Sequence, residues 1–236
     1  MMTNLRIISR SSEPFQDRRQ AGRLLSDGLD HLYGRHPLVL GVPRGGVVVA
    51  QEMAHRLDGD LDVVLAHKLG APGHRELAIG AVAEDGSVLV DNDLIGRLGI
   101  DSAYLEEEKE RQRSAITHRV EIFRKALPKM PLQGREVIVT DDGVATGATI
   151  RAALIAVRQE RPLSLTAAVP VGSEDALRLL SWEADEVVCL RVPPLFDAVG
   201  RFYVWFVQVE DGDVVEMLRE ENSRRVDAGA RGAEGR

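Results

Sequence analysis

The sequence contains one cysteine, few aromatic residues and no long apolar run. The single Cys189 excludes an internal disulfide framework, which is typical of a reducing compartment, so we expect a cytoplasmic protein. Because Cys189 lies in the apolar run VVCL, we expect a buried structural thiol rather than a nucleophile. No stretch approaches the roughly 20 apolar residues that span a bilayer, and no signal-like apolar core is found at the N-terminus, so we expect no membrane partner.

The charge balance and two missing motifs exclude further classes of protein. Among 236 residues, 30 are Lys or Arg and 37 are Asp or Glu, a formal net charge of −7, whereas nucleic-acid binding needs a basic face. We therefore expect no nucleic-acid partner, although a local pocket can still bind a small anion. The chain has neither a Gly-Lys-Ser/Thr phosphate loop nor a G-x-G-x-x-G dinucleotide fingerprint.

Short apolar runs alternate with helical stretches, which predicts an α/β fold with a mostly parallel twisted sheet flanked by helices. The predicted strands are 38–42, 61–66, 136–140, 163–170 and 186–190, with a hairpin formed by 79–82 and 88–90. The predicted helices are 16–34, 47–57, 146–159, 173–182 and one from Asp211 to about Glu220.

We expect one domain over residues 1–221, with an insertion at 91–130. Residues 101–126 have mixed charge at helical spacing without a broad apolar stripe, which predicts a long, exposed helix that forms a peripheral hood or lid. The tail at 222–236 has almost no apolar content, so we expect it to be disordered.

The segment VIVTDDGVATGAT at residues 137–149 reads as a strand, a loop and the start of a helix. The small residues after the strand allow a tight turn that directs backbone N–H groups and the helix dipole at a phosphate. We assign phosphate contacts to seven consecutive residues: Gly143, Val144, Ala145, Thr146, Gly147, Ala148 and Thr149.

Asp141 and Asp142 stand at the carboxyl end of this strand, the edge where open α/β sheets bind ligands. Two carboxylates would repel a phosphate unless they face another part of the ligand. Carboxylates bind sugar hydroxyls, and with Mg²⁺ they become attractive to an anion. Phosphoribosyl pyrophosphate, with its monophosphate, diol and metal-bound pyrophosphate, satisfies these demands.

The same thirteen residues resemble the phosphoribosyl-pyrophosphate motif of type I phosphoribosyltransferases. GVPRGGVVVA, HKLGAPGHRELAIGAVAEDG and VGRFYVWF are similar to segments of a bacterial subgroup of that family, and together they extend over most of residues 16–220. The resemblance implies a type I phosphoribosyltransferase fold, Mg²⁺ as cofactor, a role in nucleotide or nucleoside metabolism, and transfer of phosphoribose to a nitrogenous acceptor, with a nucleobase expected. The resemblance also implies that Asp141 and Asp142 are catalytic residues. They would contact the ribose hydroxyls either directly or as ligands of Mg²⁺.

Two further loops follow predicted strands. Arg44, Gly45 and Gly46 form a second turn able to bind an anion, and Lys68 follows the next strand at the same expected edge. The resemblance implies that Lys68 neutralises the leaving pyrophosphate as a catalytic residue, with Arg44 as the second candidate. For both Lys68 and Arg44, the alternative is a solvent-exposed surface residue with no part in binding.

Four of the ten aromatic residues fall within residues 202–206. The resemblance implies that one of them, Phe202, stacks on the acceptor. The alternatives are core packing or an oligomer contact, and the latter would make the protein a homodimer.

Ala145 departs from hypoxanthine–guanine-type members, which carry an aspartate there as a general base. Glu76, Glu84 and His74 are the other candidates for a base, with surface polarity as the alternative for each. Three readings stay open: a phosphoribosyltransferase, a regulatory protein that binds the ligand without turnover, and a phosphohydrolase.

Overall fold

Residues 4–234 are described by a computed structural model, including the side chains of all of these except 4, 76 and 228–234. The strands are β1 (Asn4–Ser9), β2 (Leu38–Gly41), β3 (Asp60–Val63), β4 (Ala66–Ala71), β5 (His74–Ala83), β6 (Val88–Val90), β7 (Glu136–Thr140), β8 (Ser164–Val171) and β9 (Glu186–Arg191). The helices are α1 (Arg18–Asp27), α2 (Gly45–Arg56), α3 (Asn92–Leu98), α4 (Ser102–Ala126), α5 (Ala148–Gln159), α6 (Glu174–Leu180) and α7 (Asp211–Glu234), with 3-10 turns at Asp30–Leu32 and Val199–Phe202.

The central sheet has six strands in the order β1-β9-β8-β7-β2-β3, and every neighbouring pair is parallel. Its middle strands are apolar without alternation because helices cover both faces. Helices α1, α2 and α7 pack on one face, and α5 and α6 pack on the other. The predicted α/β class with a mostly parallel sheet is therefore confirmed.

A second, antiparallel sheet of three strands, β4-β5-β6, lies outside the central sheet. The predicted hairpin is confirmed, since Val82 pairs with Val88. Helix α4 packs on this sheet; Tyr104 and Leu105 contact its small core around Leu69. The predicted long helix is thus present, while its function as a hood stays a prediction.

Two expected boundaries are wrong, and one strand was not expected. The first helix ends at Gly28 instead of continuing to residue 34, and a separate 3-10 turn follows. Residues 66–71 form a strand of the second sheet, so Lys68 does not lie in a loop. Strand β1 was missed altogether, because six residues at an edge give little periodicity.

The last helix also differs from expectation. It continues through Glu234, so residues 222–234 are helical rather than disordered, and 235–236 lie outside the described residues. The buried carboxylate of Glu221 pairs with Arg224 and Arg225. Arg224 also donates to the Gly59 carbonyl at 2.7 Å, which fastens the helix to the body beyond residue 220.

Of the helices within 4–234, none has the length and apolar character required to cross a membrane.

Candidate active site

The register of two central strands brings the acid pair and the glycine turn together. Gly41 at the end of β2 lies opposite Thr140 at the end of β7, so the next residues of both strands leave the sheet side by side. Only glycine permits their close approach. A Cβ atom on Gly45 would lie 2.0 Å from Oδ2 of Asp142, and one on Gly46 would lie 2.8 Å from Cα of Asp141.

Both aspartates are partly buried and tied into the surrounding backbone. Oδ1 of Asp141 accepts the N–H of Asp142 at 2.8 Å, and Oδ2 of Asp142 accepts Nε of Arg18 at the same distance. The phenol of Tyr203 donates to the carbonyl oxygen of Asp142. Burial raises the pKa of Tyr203 well above its ordinary value, so this group stays a donor.

Both aspartates of the acid pair have raised pKa values. Burial and the neighbouring charge of Asp142 raise the pKa of Asp141 well above its ordinary value. Burial also raises the pKa of Asp142, and the guanidinium of Arg18 opposes part of that rise. Two close carboxylates in a poorly solvated place resist full ionisation unless a positive charge joins them.

Arg18 is a functional candidate that sequence reasoning missed. Its side chain is nearly buried, donates to the Val207 carbonyl at 2.7 Å, and its guanidinium carbon lies 3.9 Å from the ring centroid of Phe206. The sequence offers no local signal for this role, since Arg18 and Asp142 are 124 residues apart.

The loop after the acid pair turns directly into α5. Gly147 has φ of +79°, the left-handed region that favours glycine, and it caps the helix that starts at Ala148. The N–H of Val144 bonds the Val171 carbonyl at 2.9 Å, which fixes the loop on β8. Ala145, Thr146 and Thr149 are exposed, so this loop and the first turn of α5 lie at the surface.

The candidate residues line two separate clefts. A cleft of about 550 Å³, here called the acid cleft, is lined by Arg18, Arg44, Arg119, Asp141, Asp142 and Phe206. A second cleft of about 560 Å³, here called the basic cleft, is lined by His67, Lys68, Arg75, Glu108, Arg111 and Thr149. The structure therefore brings Arg44 to the acid pair and Lys68 to the end of the phosphate loop.

Two cations of the acid cleft are paired with the start of α7. Nη1 of Arg44 lies 2.7 Å from a carboxylate oxygen of Glu210, and Arg119 lies 3.7 Å from Asp211. An anion that enters this cleft must compete with these two carboxylates for the guanidinium groups.

The expected position of Phe202 is wrong. Phe202 is 5% exposed and its ring stacks on Phe196 at 5.2 Å, so it belongs to the core. Phe202 is the last residue of the 3-10 turn at Val199–Phe202 and its side chain is buried there. Phe206 is the aromatic residue that lines the acid cleft, and Trp205 is exposed beside it.

Glu84 and His74, two of the candidates for a general base, do not line the acid cleft. Glu84 is ion-paired with Arg124 and Lys129, both at 2.8 Å. His74 is exposed at the β4–β5 hairpin, and the side chain of Glu76 lies outside the described residues.

Cys189 is buried and its pKa is raised to about 12, which agrees with the structural thiol expected.

The donor set fits a magnesium ion that arrives with its ligand. Among the described residues, no group of three or more His, Cys, Asp or Glu side chains could hold a metal alone. Mg²⁺ often binds through one or two carboxylates plus substrate phosphates and water. Asp141 and Asp142 are adjacent and both line the acid cleft, which matches that mode of binding.

A family model described as "Phosphoribosyl transferase domain" matches residues 16–209. Two curated relatives from Mycobacterium tuberculosis, strains CDC 1551 / Oshkosh and ATCC 25618 / H37Rv, carry the name "putative phosphoribosyl transferase". Each is 41% identical over 216 residues, which cover 92% of this chain and 49% of the relative. The chain thus spans about half the length of the curated relatives it matches.

Among solved structures, the protein TT1426 from Thermus thermophilus is similar along nearly its whole length. It is 49% identical and superimposes with a TM-score of 0.83, over 88% of this chain and 98% of that one.

Proposed function

This chain belongs to the phosphoribosyl transferase domain family, and from that premise we propose that it transfers the phosphoribosyl group of phosphoribosyl pyrophosphate to a nitrogenous acceptor. Mg²⁺ is the proposed cofactor, pyrophosphate the second product and a nucleobase the proposed class of acceptor. The lone buried thiol is compatible with the cytoplasmic location we propose.

One observation carries the proposal. The acid pair, the glycine turn and the start of α5 occupy one edge of the sheet, with Gly45 in contact with Asp142. In our proposal the two aspartates bind the ribose hydroxyls, directly or with Mg²⁺. The amides of 143–149, with the exposed hydroxyls of Thr146 and Thr149, bind the 5′-phosphate.

Arg44 is the better placed candidate for the pyrophosphate. It shares the acid cleft with Asp141 and Asp142, and its turn has the two glycines that let an anion approach the backbone. Lys68 shares a cleft with Thr149, so its proposed contribution lies at the phosphate-loop end of the donor.

Catalysis in this proposal is mainly positioning and electrostatic stabilisation. As the acceptor nitrogen bonds to C1 of the ribose, the C1–oxygen bond to pyrophosphate breaks, and negative charge grows on the leaving group. Mg²⁺, when bound, would neutralise part of that charge. Arg44 would stabilise the same charge, and closure of α4 over the donor would exclude water.

Phe206 is the proposed acceptor contact in place of Phe202. Its ring lies on the guanidinium of Arg18 and faces the acid cleft, so a flat heterocycle can pack beside it. Ala145 has no proton-accepting side chain, which argues against the 6-oxopurine mechanism that relies on an aspartate at this position.

The test is incubation with Mg²⁺, phosphoribosyl pyrophosphate and a panel of nucleobases, with pyrophosphate and nucleotide measured separately. Release of pyrophosphate that depends on the acceptor is expected. Release without any acceptor would instead identify a phosphohydrolase, and binding without turnover across the panel would identify a regulatory protein. The Asp142→Asn variant is the control for release by a contaminant.

A further inference from the structure

Arg18, the first residue of α1, contacts both halves of the proposed site. Its Nε donates to Oδ2 of Asp142 at 2.8 Å, and its Nη1 donates to the carbonyl oxygen of Val207 at 2.7 Å. The ring of Phe206 lies on the same guanidinium, with its centroid 3.9 Å from the guanidinium carbon. One planar group therefore contacts both the carboxylate assigned to the donor and the segment that carries the proposed acceptor contact.

That segment, residues 206–209, is here called the acceptor segment. Before it, the chain is fixed by main-chain hydrogen bonds, since the N–H of Trp205 donates to the Gln16 carbonyl at 2.8 Å. The acceptor segment itself belongs to no helix or strand, and the side chain of Val207 is exposed. A segment with so little buried surface moves easily, so the bond from Arg18 to the Val207 carbonyl has a large share in its position.

The pair of Arg18 and Asp142 cannot change without an effect on the acceptor segment. The two side chains are only 9% and 16% exposed, so water replaces little of their interaction. A ligand group that binds the Asp142 carboxylate must share it with Nε of Arg18. Because the guanidinium is rigid and planar, a movement at Nε also moves Nη1 and the face on which Phe206 lies.

We propose that Arg18 is a positioning residue that moves the acceptor segment when the donor binds, an inference that rests on the proposed function. The ribose hydroxyls that bind Asp142 change its pairing with Arg18, and the guanidinium carries Val207 and Phe206 with it. The donor thereby sets the position of the proposed acceptor contact.

Trp205 reports on this movement from outside the donor site. It precedes the acceptor segment and lines a neighbouring cleft of about 450 Å³ that shares Arg18 with the acid cleft. The other tryptophan of the chain, Trp182, lies beyond the end of α6 and is removed by Trp182→Phe. Phosphoribosyl pyrophosphate has no aromatic ring, so a change in fluorescence reports a change around Trp205.

The test measures the emission of Trp205 and its quenching by acrylamide in the Trp182→Phe protein, here called the parent. Both are recorded with and without Mg²⁺ and saturating phosphoribosyl pyrophosphate, and calorimetric titration of each variant establishes saturation. The donor is expected to shift the emission maximum and change the quenching of the parent. Arg18→Lys is expected to lose this response, because one ammonium group cannot bind the Asp142 carboxylate and the Val207 carbonyl in the geometry of the guanidinium.

Phe206→Leu is a second variant, which does not depend on the folding of Arg18→Lys. Phe206 is partly exposed, so the fold is expected to persist, and loss of the ring from the guanidinium is expected to weaken the response.

Two control variants are expected to respond as the parent does. Arg19→Lys changes the neighbouring guanidinium of α1, which is exposed and pairs with Glu52 at 3.0 Å. Tyr203→Phe removes the other side-chain hydrogen bond to Asp142, which ends on the main-chain carbonyl and not on the carboxylate.

Four outcomes overturn the proposal. The first is an unchanged Trp205 signal in the parent at saturating donor, and the second is an undiminished response in Arg18→Lys or Phe206→Leu. The third is loss of the response in either control. The fourth is a folded Arg18→Lys protein that no longer binds the donor, which would make Arg18 a donor contact. Failure of the parent to bind phosphoribosyl pyrophosphate in calorimetry would instead refute the proposed function.

Discussion

Replacing Gly45 with alanine tests the contact on which the proposed donor site depends. The new Cβ would lie 2.0 Å from Oδ2 of Asp142, 2.7 Å from its Cγ and 2.8 Å from Nε of Arg18. Real Cβ atoms do not approach other atoms so closely, so the carboxylate or the backbone must move by about 1 Å. Either movement disturbs the hydrogen bond between Arg18 and Asp142, which is 2.8 Å long.

The magnitude follows from these contacts. Overpacking of this kind costs about 1–3 kcal/mol, which lowers Tm by about 2–12 °C at this chain length. Because the displaced group is the proposed ribose contact, we expect the affinity for phosphoribosyl pyrophosphate with Mg²⁺ to fall at least ~10-fold, about 1.4 kcal/mol. Thermal unfolding and calorimetric titration measure the two effects.

Gly96→Ala is the matched control. Gly96 is an exposed helical residue, and nothing lies within 4 Å of its added Cβ. Alanine there should stabilise the helix by about 0.5–1 kcal/mol and leave ligand affinity unchanged. A Gly45→Ala protein that binds phosphoribosyl pyrophosphate as tightly as the wild type would refute the assignment of Asp142 to the donor site.

Three further predictions test other parts of the site and the core. Asp142→Asn should bind phosphoribosyl pyrophosphate far more weakly in calorimetry while unfolding cooperatively; unchanged affinity would remove the ribose role. Phe202→Ala should lose about 3–5 kcal/mol of stability in denaturant unfolding, whereas Phe206→Ala should lose less and raise KM for the acceptor; the reverse pattern would restore Phe202 as the acceptor contact. Burial raises the pKa of Cys189 to about 12 in the folded protein, whereas the thiol of the unfolded chain loses its proton above about pH 9. The contribution of Cys189 to the free energy of unfolding therefore falls as pH rises from about 9 to 12. Iodoacetamide at pH 8 should therefore label Cys189 only after unfolding, and labelling of the folded protein would contradict its burial.

Local patterns predicted much of the central fold. The apolar run at β7 and the small residues after it indicate a buried strand followed by a tight turn, because both depend on neighbours in the chain. The helical character of α2, α4 and α5 and the β5–β6 hairpin follow from the same kind of signal.

Long-range contacts explain what local patterns could not predict. Lys68 was expected in a loop, yet pairing of β4 with β5 makes it part of a strand. The helix beyond residue 220 depends on Glu221, whose buried charge is satisfied by Arg224 and Arg225. Phe202 ends a 3-10 turn and its ring lies in the core. The amino-acid composition of this segment does not predict that turn.

The sequence by itself determined the acid pair, the small-residue loop and the family, because these lie within thirteen consecutive residues. Only the tertiary structure decided which cations accompany them. Arg18 and Arg44 reach Asp142 and its cleft from α1 and from the turn after β2, whereas Lys68 goes to the other cleft with Thr149. The physical reason is the parallel register of β2 and β7, which places distant loops at one edge of the sheet and leaves room there only for glycine.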